Sequence, residues 1–390
     1  MDLTTTFSNA SQARSSLLDD KHESACRLFN GFYEGFPALA VDLYGHTLVI
    51  HDYSEKGEGD EASAKAVVDA AKAQWPWITA ALWKVRDSQD PLSRNGRFLL
   101  GERGALDRRV VENGVKYSLA LDLHQDATLY LDTRLLRAWA KKSFAGKKVL
   151  NTFAYTGSLG VAAAAGGAAQ VVHVDLSRQY LNLAKDSYAL NKLPVAKTDF
   201  KVADFFEAMS WLKKEGALFD ALFLDPPFFS ETKNGRVDME KEADKLINKA
   251  RPLIGDGGVL VAVNNALFTS GAQWKATLEG LCQDGYMAFE ETLPVPEDFT
   301  GYPATRVGTA PADPAPFNHS TKDRGAAREA EGRPEGLAPP QPGQSLDEPL
   351  DGPTAGPAGA RGAARLTGQW VRAPRSCRFG TTRRDRAPRT

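Results

Sequence analysis

Cysteine is scarce in this 390-residue chain: Cys26, Cys282 and Cys377 stand far apart. Such spacing excludes a disulfide framework or a cysteine-based zinc site and suits a reducing compartment, so no metal is expected. Long apolar runs are missing too. "VLVAVNNALF" is interrupted by Asn264 and Asn265, and no segment reaches the length of a membrane span, so no membrane partner is expected. The opening "MDLTTTFSNASQARSSLLDD" has a single Arg and no apolar stretch, which argues against a secretory signal. A cytoplasmic protein is expected, with an organelle (mitochondrion or plastid) as the alternative.

Lysine disappears from the last part of the chain. Up to Lys322 there are 14 Arg and 22 Lys against 41 acidic residues, a net charge of −5; from Asp323 onward there are 12 Arg, no Lys and 8 acids, a net of +4. Rich in Ala, Gly and Pro and poor in aliphatic periodicity, residues 323–390 read as disordered, because they cannot bury enough apolar surface to offset ordering entropy. A shifted reading frame or retained intron after "NHSTK" is the second reading.

What remains divides in two behind a flexible N-terminus, residues 1–23. Residues 24–125 alternate as strands around the helix-like "DEASAKAVVDAAKAQW", with turn signals at Tyr44-Gly45 and Asn113-Gly114, and form a small α+β domain. From residue 126 to 322 strand and helix segments alternate, from "KKVLNTFA" to "GGVLVAVNN". That rhythm builds a doubly wound, Rossmann-like α/β sheet, whose ligands sit outside the carboxyl ends of its strands.

Acids stand at three such ends. Asp175 closes "QVVHVD", Asp204 follows "KVA" and Asp225 follows "ALFL". Asp175 is placed for ribose hydroxyls and Asp204 for an adenine amino group, although either alone also suits a helix N-cap. "NTFAYTGSLG" supplies Gly157 and Gly160 where backbone approaches a ligand, but Tyr155 replaces the first glycine of a dinucleotide fingerprint. Asp225 leads into Pro226, Pro227 and Phe228, a rigid exit from a buried strand.

In the order "LDLHQ…YLDTR…NTFAYTGS…VDLS…LDPP", these motifs resemble the class I S-adenosylmethionine-dependent methyltransferases. Within them the chain is similar to the group containing bacterial large-subunit ribosomal RNA methyltransferases for cytosine C5 and guanine N7. The resemblance implies S-adenosyl-L-methionine as cofactor and RNA, ribosomal by analogy, as partner. It implies that Tyr130, Asp132 and Arg134 border the cofactor, that Phe153, Ala154, Tyr155, Thr156 and Gly157 wrap its methionine portion, that Asp175 and Leu176 hold the ribose, and that Asp204 and Phe205 flank the adenine. Asp225, Pro226, Pro227 and Phe228 would face the methyl acceptor, the carboxylate and a proline carbonyl accepting hydrogen bonds while the ring stacks.

Where C5 members carry a nucleophilic Cys after the fifth strand, this chain has Asn264 and Asn265, which become substrate-binding candidates. A nitrogen acceptor is therefore expected, with cytosine C5 as the alternative. "RNGRFLLGERGALDRR" gathers five Arg against two acids, and Arg94, Arg97 and Arg103 are candidate RNA contacts on the small domain, a solvated face being the other reading. Protein or small-molecule methylation, an NAD(P)-dependent oxidoreductase and an inactive RNA-binding scaffold remain as alternatives. The sheet of such an enzyme ends with a strand inserted beside the fifth; "DRGAAREAEGRPEG" after Lys322 is no strand, so the final strand is expected to be missing.

Overall fold

Two-residue turns set the register of the first domain. In the computed structural model, which describes residues 2–54, 57–265, 269–300 and 368–372, helix α1 (Leu3–Ala13) precedes β1 (Ala25–Asn30), β2 (Leu39–Tyr44) and β3 (Thr47–Asp52). Tyr44 pairs with Thr47 across Gly45, whose φ of 60° is the left-handed conformation such a turn requires. Helix α2 (Glu61–Gln74) carries the chain over to β4 (Ala80–Val85), parallel to β3, and the short α3 (Pro91–Asn95) leads to the edge strand β5 (Arg97–Leu100). The sheet runs β1-β2-β3-β4-β5, with Val67 and Val68 of α2 buried against Ile50 and Val41.

Where a flexible N-terminus was expected over residues 1–23, the described residues 2–23 hold a packed helix. Asp2 caps α1 by accepting from the Thr5 N–H at 2.9 Å, Phe7 and Ala10 enter the first core, and Arg14 makes a buried ion pair with Glu34 at 2.7 Å. The apolar residues Leu3, Phe7 and Ala10 recur at helical spacing, which is the signal for this amphipathic face.

A hairpin of β6 (Arg109–Glu112) and β7 (Val115–Ser118) turns at Asn113-Gly114 with φ of 52° and 73°. Expected within the small α+β domain, it forms its own two-stranded sheet and bonds to both domains. The Val111 N–H donates to the Glu23 carbonyl on one side; on the other, Glu112 pairs with Arg137 and Asn191 bonds both backbone groups of Lys116.

The second domain follows the expected alternation: α4 (Arg134–Ser143), β8 (Lys148–Thr152), α5 (Ser158–Ala165), β9 (Gln170–Asp175), α6 (Arg178–Leu190), β10 (Phe200–Val202), α7 (Phe205–Lys214) and β11 (Phe219–Leu224). A second hairpin, β12 (Phe229–Thr232) and β13 (Gly235–Asp238), precedes α8 (Ala243–Ala250), β14 (Ile254–Val263), α9 (Gly271–Leu281), β15 (Ala288–Leu293) and α10 (Glu297–Thr300). Residues of alternate parity go to opposite faces: Val149, Ala221, Phe223 and Val261 enter one core, Leu150, Leu222, Leu224 and Leu260 the other. Burial on both faces explains why these strands read as continuous apolar runs.

Strand order is β10-β9-β8-β11-β14-β16-β15, where β16 is Gly368–Arg372. The expectation of a missing last strand is thus corrected: β16 lies antiparallel between β14 and β15, pairing Leu260 with Val371 and Phe289 with Val371. Expecting the strand directly after Lys322 overlooked "GQWVR", whose Trp and Val are strand-favouring residue types. The disorder expected for the rest of 323–390 falls outside the described residues. Among the described residues no helix is long and apolar enough to cross a membrane, and no cluster of His, Cys, Asp and Glu suited to a metal is present.

Candidate functional site

At β8 the strand order reverses direction, and the crevice at such a switch point is where α/β sheets bind ligands. Beyond its carboxyl end the chain bends sharply. Phe153 and Tyr155 both have φ of 51°, and Gly157, at 75°, caps α5. A non-glycine residue in this region is strained, so surrounding bonds must hold it. They do: the Tyr155 N–H donates to Asp175 Oδ2 at 2.7 Å, the Ala154 N–H to the Val174 carbonyl at 2.9 Å and the Thr156 hydroxyl to the Thr128 carbonyl at 2.6 Å.

The glycines of this turn are required by packing. A Cβ on Gly160 would lie 2.4 Å from the His173 ring, and one on Gly157 2.6 Å from Ala184. They let α5 settle on β9 and α6.

A cleft of about 700 Å³, counting its open side, runs along this edge. Its walls include Phe153, Tyr155, Asp175, Leu176, Asp204 and Phe205, so six of the residues expected at a cofactor come together here. Leu176 is 38% exposed at the cleft, an apolar surface available to a ligand. Phe153 stacks on Phe205 with centroids 4.8 Å apart. Asp175 Oδ1 accepts from the Ser177 N–H at 2.8 Å. Asp204 is the N-cap of α7, accepting from the Phe206 and Glu207 N–H groups at 2.8 and 3.2 Å, and also accepts from the Thr232 hydroxyl at 2.7 Å. The cap reading of Asp204 therefore holds, and the residue is at the same time part of the cleft wall.

Of the three residues expected to border a cofactor from "YLDTR", none lines the cleft. Tyr130 stands behind Tyr155, ring centroids 5.1 Å apart, with its hydroxyl donating to Asp126. Burial beside Asp126 pushes the Tyr130 phenol far above its ordinary pKa, so it stays protonated. Asp132 is buried. Arg134 instead grips Asp298 of α10 at 2.6 and 3.1 Å, while the Arg27 N–H donates to the same carboxylate, a strap between the domains.

Hairpin β12–β13 was missed as a cleft wall: Ser230, Thr232, Gly235 and Val237 line it, as does Tyr180 of α6. Its sequence signal is the Asn234-Gly235 dipeptide, and Gly235 lies where a Cβ would strike the Phe206 ring at 2.6 Å.

Past the cleft, Asp225 and Phe228 are half-buried and Pro226 and Pro227 buried. The Asn265 side-chain amide, at the carboxyl end of β14, donates from Nδ2 to Asp225 Oδ1 at 2.7 Å and to the Pro226 carbonyl at 2.5 Å. Asn264, only 1% exposed, turns away and donates to the Thr269 carbonyl. Cys282 ends α9 with its thiol pKa raised by burial. On the first domain, Arg97 pairs with Glu61 at 3.2 Å and Arg103 with Asp122 at 2.6 Å; with Arg94 they lie outside the cleft wall.

Comparison with known proteins places these features. The profile of the S-adenosylmethionine-dependent methyltransferases matches residues 89–302. A Bacillus subtilis relative, YwbD, which carries the name of a ribosomal RNA large subunit methyltransferase, is 32% identical over 300 residues, covering 75% of this chain and 74% of its own. The ribosomal RNA large subunit methyltransferase K/L of Colwellia psychrerythraea is 34% identical over 248 residues, 62% of this chain, and the match spans only 34% of that protein. Among solved structures, the methyltransferase SMU.776, complexed with SAH, superposes with a TM-score of 0.69 at 25% identity, covering 78% of this chain and 77% of that one.

Proposed function

This chain belongs to the S-adenosylmethionine-dependent methyltransferase family, and from that premise we propose that it methylates a nitrogen of a nucleobase in large-subunit ribosomal RNA. The residues of the cleft fit the cofactor. A carboxylate followed by an exposed Leu suits a ribose and the adenine beside it: an ionised carboxylate accepts several hydrogen bonds, and Asp175 and Leu176 both line the cleft. Bound there, the cofactor supplies a methyl group already activated on sulfonium sulfur.

The protein's remaining task is alignment and charge. One observation carries the nitrogen assignment: Asp225 Oδ1 and the Pro226 carbonyl converge on a single NH₂ nitrogen, that of Asn265. Two acceptors so placed would draw density onto an acceptor nitrogen and hold the proton it sheds as the N–C bond forms. Phe228 would stack on the base, and RNA reaches the site from the side bearing the exposed Phe229, at 43%. Cytosine C5 chemistry needs a thiolate near the acceptor; the residues after β14 are Asn264 and Asn265. The names of the relatives support ribosomal RNA as substrate and so a cytoplasmic site of action. Tritiated methyl transfer to in-vitro-transcribed large-subunit ribosomal RNA, followed by nucleoside analysis, tests the proposal: an N-methylated nucleoside is expected, and no label in RNA, or label on C5 of cytosine, overturns it.

A further inference from the structure

The two acceptors at the end of β11 already hold a ligand of a particular shape. Asn265 Nδ2 is a planar, sp² NH₂ group, and it reaches Asp225 Oδ1 at 2.7 Å and the Pro226 carbonyl at 2.5 Å. Cytosine N4, adenine N6 and guanine N2 are groups of the same geometry, two coplanar hydrogens on a nitrogen conjugated to an sp² carbon. A ring nitrogen such as N7 of guanine carries no hydrogen to offer either oxygen.

We infer that the Asn265 amide is an internal stand-in for the methyl acceptor, occupying the seat of an exocyclic base amine until the substrate displaces it. Resting on the nucleobase-nitrogen reading, this narrows the substrate class to an exocyclic amine. Displacement is feasible because Asn265 is half-buried and its side chain reaches the seat by rotation about two single bonds. The arrangement also gives Asp225 Oδ1 and the Pro226 carbonyl a shared donor between turnovers. It discriminates as well: a base that cannot replace both hydrogen bonds leaves the amide in place.

The test is a KM-against-kcat split on in-vitro-transcribed, unmodified large-subunit ribosomal RNA, with thermal melting and cofactor affinity measured alongside. In Asn265→Ala nothing needs displacing, so KM for the RNA should fall about tenfold, the equivalent of one charge-assisted hydrogen bond, with kcat held within a factor of about two. Asn265→Ser serves where the Ala protein fails to fold. With wild-type protein labelled with ¹⁵N-Asn, the side-chain amide signals lost in the variant should shift when RNA binds in the presence of S-adenosylhomocysteine. A drop in kcat with KM unchanged in a folded variant would make Asn265 a permanent clamp on Asp225 and overturn the inference, as would an amide signal unmoved by bound RNA. A product methylated on a ring nitrogen overturns the inference while leaving the nucleobase-nitrogen proposal standing, whereas unlabelled RNA from the wild-type protein overturns that proposal and the inference with it.

Discussion

On one half of the sheet's carboxyl edge, Asp175 and Asp204 accept from four backbone N–H groups, those of Tyr155, Ser177, Phe206 and Glu207. On the other half, the side-chain amide of Asn265 donates to Asp225 Oδ1. Backbone donors are fixed by the loops and helices that carry them; an amide on a short side chain turns without moving its strand. On the proposed assignments, one half is preset for the cofactor and the other is held by a group that can step aside.

Replacing Asp225 breaks the exchangeable half alone. Asp225→Ala should lower turnover by at least about 10² to 10³, the usual loss when a preorganised electrostatic partner is removed, while cofactor affinity measured by calorimetry stays at the wild-type value. Pro227 touches the cleft but Asp225 does not line it. A parallel loss of cofactor binding would show that the two halves are not separable.

Asp175→Ala attacks the preset half. Losing a charged acceptor for two hydroxyls should weaken cofactor binding by about 2 to 4 kcal/mol, from roughly 1.5 to 3 per charge-assisted bond without strict additivity. The variant also strands the Tyr155 and Ser177 N–H groups, so a melting curve must accompany the titration. Unchanged affinity in a folded variant removes Asp175 from the ribose.

How much of this was legible depended on whether the signal was local. The strand and helix alternation, the turns at Gly45 and Asn113-Gly114 and the gathering of Asp175, Leu176, Asp204 and Phe205 follow from short-range pattern and resemblance. The ion pair of Arg134 with Asp298 was out of reach because the two lie 164 positions apart in sequence. β16 was invisible for the same reason: a five-residue strand far from its neighbours leaves only a weak propensity trace. Nothing local reveals that His173 packs over Gly160.

His173 gives a smaller prediction. Wholly buried, stacked on Phe200 and bonded to the Tyr188 hydroxyl at 3.0 Å, it has its pKa pushed down by burial to about 3. Between the unfolded pKa of about 6.5 and that folded value the unfolded chain binds the extra proton, so stability falls as pH drops through this window and is fully present above it. His51, lowered to about 4 by burial against the opposing pull of Asp42, acts in the same direction in the first domain. The melting temperature should decline from pH 7 to pH 4, and a folded His173→Gln protein should show a shallower decline. Equal slopes would assign the acid sensitivity elsewhere, to His51 among others.

The smallest effect is expected at Cys282. A C5 mechanism would need its thiolate beside the base, yet burial raises its pKa and disfavours that form. Position argues the same way. Helix α9 starts near the end of β14 where Asn265 sits and runs eleven residues before Cys282, a distance of about 16 Å at 1.5 Å per residue. The Cys282 N–H donates to the Glu279 carbonyl as an ordinary C-cap, which a serine reproduces. Cys282→Ser should therefore keep kcat and KM within a factor of about two and shift stability by less than about 1 kcal/mol. Loss of turnover in a folded Cys282→Ser protein, or a covalent RNA adduct that disappears with the substitution, would place the nucleophile on α9 and remove Asp225 from the centre of the chemistry.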